Sequence, residues 1–332
     1  MMPKARIHLP RRVLIFIICL VAIVVFLYLL GWVGIKAKDV LRSTLFVMTP
    51  LALAAVGECI NEKAGVVNIG LEGIFCLSCI IGVYGGVHLG SGVAGLLVGS
   101  LMGASIGFIF GIASVYGRAN QVVFGMGINV FGEGMLLFLM ITIWHATSYN
   151  LRPEFMIPQI STPLGLLSPM IFVAIAIAIL LHVILHRTFL GIKIRAAGEK
   201  PEAADVAGQS VGRIRMLTCT LGGALAGLGG AFFSLGWLGT VVKEISAGRG
   251  FIALACVVFA GLEPLLALAG AFIFGFAESL AFTVMSMPAA HTYPFFEYFL
   301  KMVPYIVPLI VVVIFIGRKP FPKASGKPYI RE

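Results

Sequence analysis

Charge is what this sequence has least of. Asp, Glu, Lys and Arg supply only 11% of its 332 residues, where a soluble domain carries about 25%. That scarcity excludes water as the main solvent. No G-x-x-x-x-G-K-[ST] phosphate loop occurs, so any ATP that drives this protein is bound by another chain. No H-E-x-x-H occurs either. His182 and His186 have the i, i+4 spacing of a metal pair, but no third ligand is apparent beside them, and no metal is expected. The six cysteines (Cys19, Cys59, Cys76, Cys79, Cys219, Cys256) lie in or beside apolar runs, without the paired loop spacing of a secreted disulfide framework. They read as free thiols. Cys76 and Cys79 form a C-x-x-C inside an apolar helical run, which reads as packing rather than redox or metal chemistry.

Apolar residues are abundant, at 60% of the chain. A hydrocarbon core about 30 Å thick needs roughly 20 of them per helical crossing. Runs of that kind place spans at 13–33, 41–57, 64–87, 92–116, 121–144, 168–186, 216–239, 250–262, 264–285 and 298–316. The expectation is therefore an all-α, polytopic membrane protein with about ten transmembrane helices. The run at 250–262 is short for a full crossing and reads as a tilted half-span or a re-entrant piece. The apolar run after MMPKARIHLPRR is too long for a signal peptide and no A-x-A-like site follows, so it reads as an uncleaved first span. Residues 1–12 and 317–332 are then tails on a single transmembrane domain, 13–316.

The formal charge is +10, from 24 basic and 14 acidic residues. The basic residues cluster beside apolar runs rather than along a solvated face, so they are topology signals and the partner is a lipid bilayer, not nucleic acid. With the N-terminus in the cytoplasm, 17 of the 24 fall inside. Lys36, Lys38, Arg42, Arg152, Lys243, Arg249 and Lys301 fall outside. Both termini are thus expected inside. The segment 187–215 becomes the one long cytoplasmic loop, and 145–167, with Pro153, Pro158 and Pro163, a fixed external connection.

Small residues recur every fourth position at Gly95, Gly99, Gly103, Gly107 and Gly111, at Gly223, Gly227 and Ala231, and at Ala267, Ala271, Gly275 and Ser279, as close helix packing requires. Polar groups at depth are the informative anomaly, since an ionisable side chain there costs roughly 2.5 to 3.5 kcal/mol unless it meets water or a partner. Asn68, Glu72, Cys76 and Cys79 follow helical spacing on one face of the third span, and Gln121, Gly125, Asn129 and Glu133 do so on the fifth. Two readings stay open for them: they line a cavity for a polar, neutral solute, or they hydrogen-bond helix to helix. Glu278 in the ninth span is a lesser candidate. GECINEKAGVVNIGLEG suggests a break near the cytoplasmic surface, with Glu58, Glu62 and Lys63 solvated. Glu263-Pro264 reads as a tight turn.

The segment AAGEKPEAADVAGQSVGRIR contains its own short helix. Pro201 suits a first helical position, Glu202 and Asp205 favour the positive helix start, and Gly208 suits the stop. Its Ala203, Ala204, Val206 and Ala207 offer an apolar face too slight for lipid but suited to a protein groove.

GIKIRAAGEKPEAADVAGQSVGRIRMLTCTLGGALAGLGGAFFSLG, with AGRGFIALACVVFAG after it, resembles the permeases of ATP-binding-cassette importers for branched-chain amino acids, ribose and nucleosides. It looks most like the nucleoside and simple-sugar permeases. ALAAVGECINEKAGVVNIGLEG and NQVVFGMGINVFGEG look similar to the same group's earlier motifs. The resemblance implies a type II importer-like permease in the plasma membrane, paired with a second permease (a relative or a second copy), two cytosolic ATPase subunits and a solute-binding lipoprotein. ATP and Mg would sit on the ATPase, and this chain would bind no cofactor and do no covalent chemistry. The helix at Pro201 would be the coupling helix, with Arg195, Glu199, Glu202, Ala203, Ala204, Asp205 and Gly208 around it. Asn68, Glu72, Gln121, Asn129, Glu133, Phe251 and Glu278 would line the solute pathway, and the aromatics Phe232, Phe233, Trp237 and Phe251 suit a nucleoside. Where these permeases often show a Gly-x-x-Pro-x-Gly-type turn, this chain has GLEPLLALAG.

Overall fold

A computed structural model describes residues 36–286, 302, 306, 309, 310, 313 and 321–329. The expected first span, most of the tenth, the N-terminal basic cluster and Cys19 lie outside these residues. The remaining cysteines are buried free thiols.

In chain order the helices are α1 (Ala37–Lys63), α2 (Leu71–His88), α3 (Gly92–Gly111, continued by wider turns to Tyr116), α4 (Gln121–Trp144), α5 (Pro169–Arg187), α6 (Phe189–Glu199), α7 (Pro201–Val206), α8 (Val211–Phe232, continued to Leu238), α9 (Arg249–Ala260) and α10 (Pro264–Met285). Among the described residues seven are long and apolar enough to cross a membrane: α1 to α5, α8 and α10. With 12 residues, α9 rises about 18 Å, which is short of a crossing, as the sequence leads one to expect.

Local chemistry explains where the helices start. Asn120 accepts from the Val122 and Val123 N–H groups at 3.0 and 3.2 Å to open α4. Ser168 accepts from Met170 N–H with Pro169 as first residue of α5, and Thr188 accepts from Gly191 N–H to open α6. Each cap satisfies N–H groups that a helix start leaves unpaired.

Two expectations need correction. The expected span at 64–87 is interrupted: α1 runs on to Lys63, the chain leaves the helix over 64–70, and α2 begins at Leu71. Asn68 therefore lies in the break and not on the helical face of Glu72, Cys76 and Cys79. Glu58 and Glu62, expected to be solvated, are buried in the last turns of α1. The connection at 145–167 is built largely on short strands: β1 (Ser148–Asn150) pairs antiparallel with β4 (Thr240–Val242), and β2 (Ile160–Thr162) forms a hairpin with β3 (Gly165–Leu167). These three-residue ladders sit on an otherwise helical fold.

The first two small-residue stripes mesh with each other, seating α3 on α8. A Cβ added to Gly103 would fall 2.5 Å from Gly227 Cα and closer still to Gly223 O. Gly99 meets Ala231, and Gly107 meets Cys219 and Gly223 in the same way. The third stripe seats α10 on α1, with Gly275 against Met48 and Thr44 and the Ser279 hydroxyl donating to Val40 O at 3.4 Å. Large side chains cannot enter these seams, so backbones touch.

Gly103→Ala is accordingly expected to destabilise the bundle by about 1–3 kcal/mol, seen as a lower unfolding temperature in detergent. Gly127→Ala on α4, with nothing within 4 Å of the added methyl, should leave that temperature unchanged or slightly raised.

Candidate functional site

The break between α1 and α2 frees backbone groups inside the bundle, and side chains take them up. Asn68 N–H donates to Glu58 Oε1 at 2.6 Å, and Glu58 Oε2 also accepts from Asn61 Nδ2 at 3.1 Å. Asn68 Oδ1 accepts from Gly70 N–H at 2.9 Å. From α4, Gln121 Oε1 accepts from Val67 N–H at 2.8 Å, while Asn129 accepts from Gly73 N–H and donates to Ile69 O at 2.9 and 3.0 Å. Gly73 and Gly132 let α2 and α4 approach closely enough for this, since a Cβ on Gly132 would lie 2.5 Å from Gly73 Cα. Three residues expected in the solute pathway, Asn68, Gln121 and Asn129, thus have their amide oxygens turned to backbone.

Glu72 does the same for the loop before α9. Its carboxylate accepts from the Ser246 hydroxyl and from the N–H groups of Gly248 and Gly250, both at 2.7 Å. That loop carries Glu244, Ala247 and Gly248 at φ 64°, 46° and 78°, a left-handed run that non-glycine residues adopt at a cost. The hydrogen bonds to Glu72 hold it. Arg249, counted in the sequence only as an outer-side charge, is buried and ion-paired to Glu278 through Nε at 3.0 Å and through a second nitrogen. Its guanidinium stacks 5.6 Å from the Phe233 ring and 5.2 Å from Trp237. A carboxylate inside a span needs a cationic partner, and that rule applied to Glu278 is the signal that could have found Arg249.

Two of the expected pathway residues stand apart. Glu133 is exposed on α4, a helix on which Gly127 and Gly134 also have no neighbour within 4 Å of the missing Cβ. Phe251 is 43% exposed in the first turn of α9. A cleft of about 570 Å³ between α2, α3 and α4 is lined by Leu77, Met102, Ile106, Phe124, Phe131 and other chiefly apolar residues.

At the Arg187 end of α5 the connection to α8 holds two helices where the sequence indicates one. α7 begins at Pro201 and is closed by Gly208 at φ 77°, as expected. α6 is the helix that sequence reasoning passes over. Glu199, Glu202, Ala203 and Gly208 are exposed, Pro201 and Ala204 are buried, and Arg195 is half-buried with Nε donating to Gly191 O at 3.4 Å. Asp205 accepts from the Tyr329 hydroxyl at 3.0 Å. An open groove of about 570 Å³ between α6 and α7 has Phe189, Ile192, Ala196 and Ala203 along it, with Lys193, Glu199 and Lys200 among its charged residues.

Arg215, counted in the sequence only as a cytoplasmic charge, is fully buried at the hub of this end. It donates to Ala64 O at 3.0 Å, Ala197 O at 3.3 Å and Lys327 O at 2.9 Å. One side chain therefore joins the end of α1, the end of α6, the start of α8 and residues 321–329, whose Ala324 and Gly326 N–H groups also reach Gly198 O and Gly65 O at 3.0 and 3.1 Å. Lys63 pairs with Glu263 at 3.5 Å, and Glu263 also lies 3.1 Å from His186 Nε2. The third group missing beside His182 and His186 in the sequence is supplied here by the α9–α10 turn. In that turn Gly261 and Leu262 both take positive φ before Pro264 opens α10.

Glu278→Gln leaves Arg249 buried without a counter-charge, which costs about 3–5 kcal/mol. A marked drop in unfolding temperature is expected, with substantial recovery in the double variant Arg249→Met, Glu278→Leu. Glu133→Gln, at an exposed position, should not move the unfolding temperature.

The chain matches the branched-chain amino acid transport system / permease component family over residues 40–315. It is 34% identical over 309 residues to the guanosine ABC transporter permease protein NupQ of Bacillus subtilis (strain 168), covering 88% of this chain and 96% of that one. The nucleoside ABC transporter permease protein NupC of Lactococcus lactis subsp. cremoris is 31% identical over 314 residues, with the same shares. The putative glucose ABC transporter permease protein TsgC13 of Haloferax volcanii is 31% identical over 265 residues, 76% of this chain and 80% of that one. No solved structure matches. A match along most of the chain, joined to seven apolar helices of spanning length, shows that this multi-pass membrane protein belongs to the branched-chain amino acid transport system permease family.

Proposed function

We propose that the chain is the transmembrane permease subunit of an ATP-driven importer that takes up nucleosides across the plasma membrane by alternating access. Likeness along nearly its whole length to permeases named for guanosine and nucleosides carries this reading. The likeness to a putative glucose permease makes a simple sugar the second reading.

In the working assembly the chain pairs with a second permease, two ATPase subunits that hold ATP and Mg, and a solute-binding lipoprotein. It binds no cofactor of its own. The apolar runs at 13–33 and 298–316, added to the seven long helices and α9, give about ten membrane helices, with both termini in the cytoplasm. The tail at 321–329 supports that sidedness, because it bonds to α6 and Arg215 at the end that carries Lys63, Arg187, Lys193 and Arg195.

The α6–α7 element is the coupling surface. Val206 is 92% exposed and Phe189 is 84% exposed, so an apolar face stands ready for an ATPase groove, with Glu199, Glu202 and Asp205 beside it. Differential affinity of the ATPase for two states of the bundle would supply the driving free energy. Arg215 links α7's neighbourhood to α1 and α8, the two helices that carry the packed seams. The solute route runs along the α4 face that carries Glu133, towards Phe251, where a carboxylate at depth needs water or a polar partner.

Reconstituted with its ATPase, second permease and lipoprotein, the assembly is expected to accumulate labelled nucleoside and to be outcompeted by unlabelled nucleoside but not by glucose. Deleting Pro201–Ala207 should reduce uptake to background while the chain still inserts and elutes as a folded species. Uptake that survives the deletion contradicts the coupling assignment, and competition by glucose alone reverses the order of substrates.

A further inference from the structure

Three side chains from two elements converge at the Arg187 end of α5, and transport makes no use of them in the reading above. His182 and His186 lie one turn apart on α5, and Glu263 directly precedes Pro264 at the start of α10. His186 Nε2 is 3.1 Å from Glu263 Oε2, and His182 Nδ1 is 4.0 Å from the same oxygen. One ligating atom from each falls within 4.8 Å of the other two.

Hydrogen bonding decides what belongs between them. His186 Nδ1 is 3.0 Å from the His182 carbonyl oxygen. That oxygen can only accept, so Nδ1 carries the proton. In a neutral imidazole Nε2 then presents a lone pair, and it faces a carboxylate oxygen that also offers only lone pairs. A cation must sit between them, either a second proton on His186 or a metal ion. A proton answers that contact alone, and even with its own proton on Nδ1 His182 stands 4.0 Å from Oε2, beyond hydrogen-bond reach. A proton on His186 leaves His182 Nδ1, a buried atom with no hydrogen-bond partner, still beside the carboxylate oxygen. A metal ion answers all three.

The dimensions agree. Ligands about 2.0–2.1 Å from a tetrahedral zinc lie about 3.4 Å apart, and the separations of 3.1 and 4.0 Å bracket that edge. The carbonyl at His186 Nδ1–H is the kind of outer contact that fixes a metal-bound imidazole. Lys63 Nζ, 3.5 Å from Glu263 Oε1, engages the other carboxylate oxygen.

We propose that His182 Nδ1, His186 Nε2 and Glu263 Oε2 form a three-ligand site for a zinc-like divalent cation. The side chains are 35%, 31% and 17% exposed, so the fourth position opens to solvent. The ion joins the end of α5 to the α9–α10 turn and restrains their relative movement.

The test uses the full-length chain, purified without a histidine tag, stripped by chelation and titrated with zinc alone. One zinc per chain is expected after desalting, with an unfolding temperature that rises with zinc concentration and binding that weakens as acid protonates the imidazoles. His186→Ala and the near-isosteric Glu263→Gln should each weaken binding at least tenfold, and His88→Ala on α2 should not. X-ray absorption on the unaltered chain should show a nitrogen and oxygen shell with two imidazoles, a readout independent of how the variants fold. Retention of no zinc, equal retention by a His182→Ala, His186→Ala double variant, or a sulfur shell would overturn the proposal.

Discussion

A chain that breaks a helix inside hydrocarbon must find a partner for every N–H and C=O it frees, because no water is there to take them. Among the described residues the chain leaves the helix at 64–70 and at 243–248, and the polar side chains buried there answer that demand. Glu58, Asn68, Gln121 and Asn129 serve the first break, and Glu72 serves the second. The second break in turn sets Arg249 against Glu278 and the Phe233 and Trp237 rings. Buried polar networks of this kind hold a backbone to one arrangement, since a half-satisfied network costs more than none.

Packing completes what hydrogen bonding begins. Glycine and alanine stripes seat α3 on α8 and α10 on α1, so these helices meet backbone to backbone with no large side chains between them. Arg215 fastens the α6–α7 element to α1 and α8 at one end. In the coupling we propose, a push on α7 would pass through Arg215 to α1 and α8, as alternating access requires.

Much of this was legible in the sequence. Hydropathy located five of the seven long helices within five residues at each end and missed α1 and α2 by six and seven residues where they flank the break, the fourfold glycine repeats marked the seams, and Pro201 and Gly208 bounded α7. The break at 64–70 was legible only in outline. Gly57, Asn61 and Glu62 made the region look unfit for lipid, yet α1 passes through them because neighbouring helices, not lipid, surround it. Polar residues at depth were recognised but not their partners. Glu72 reaches residues more than 170 positions away, and Lys63 with Glu263 spans 200 residues of chain. Such pairings depend on tertiary packing, which periodicity does not encode. α6 escaped notice because its lysine and arginine read as loop charge, although Thr188 is an ordinary helix cap.

Buried polar groups hold broken backbone, whereas Glu133 on α4 is an exposed carboxylate, and the solute route we propose runs along its face. The most direct measurement is labelling of Glu133→Cys in the full assembly with a small water-soluble thiol reagent, against the unsubstituted chain, whose described cysteines are all buried. Labelling above background that slows when nucleoside is supplied is the expected result. A position 133 that resists the reagent, or reacts at one rate with and without solute, would contradict a route along this face.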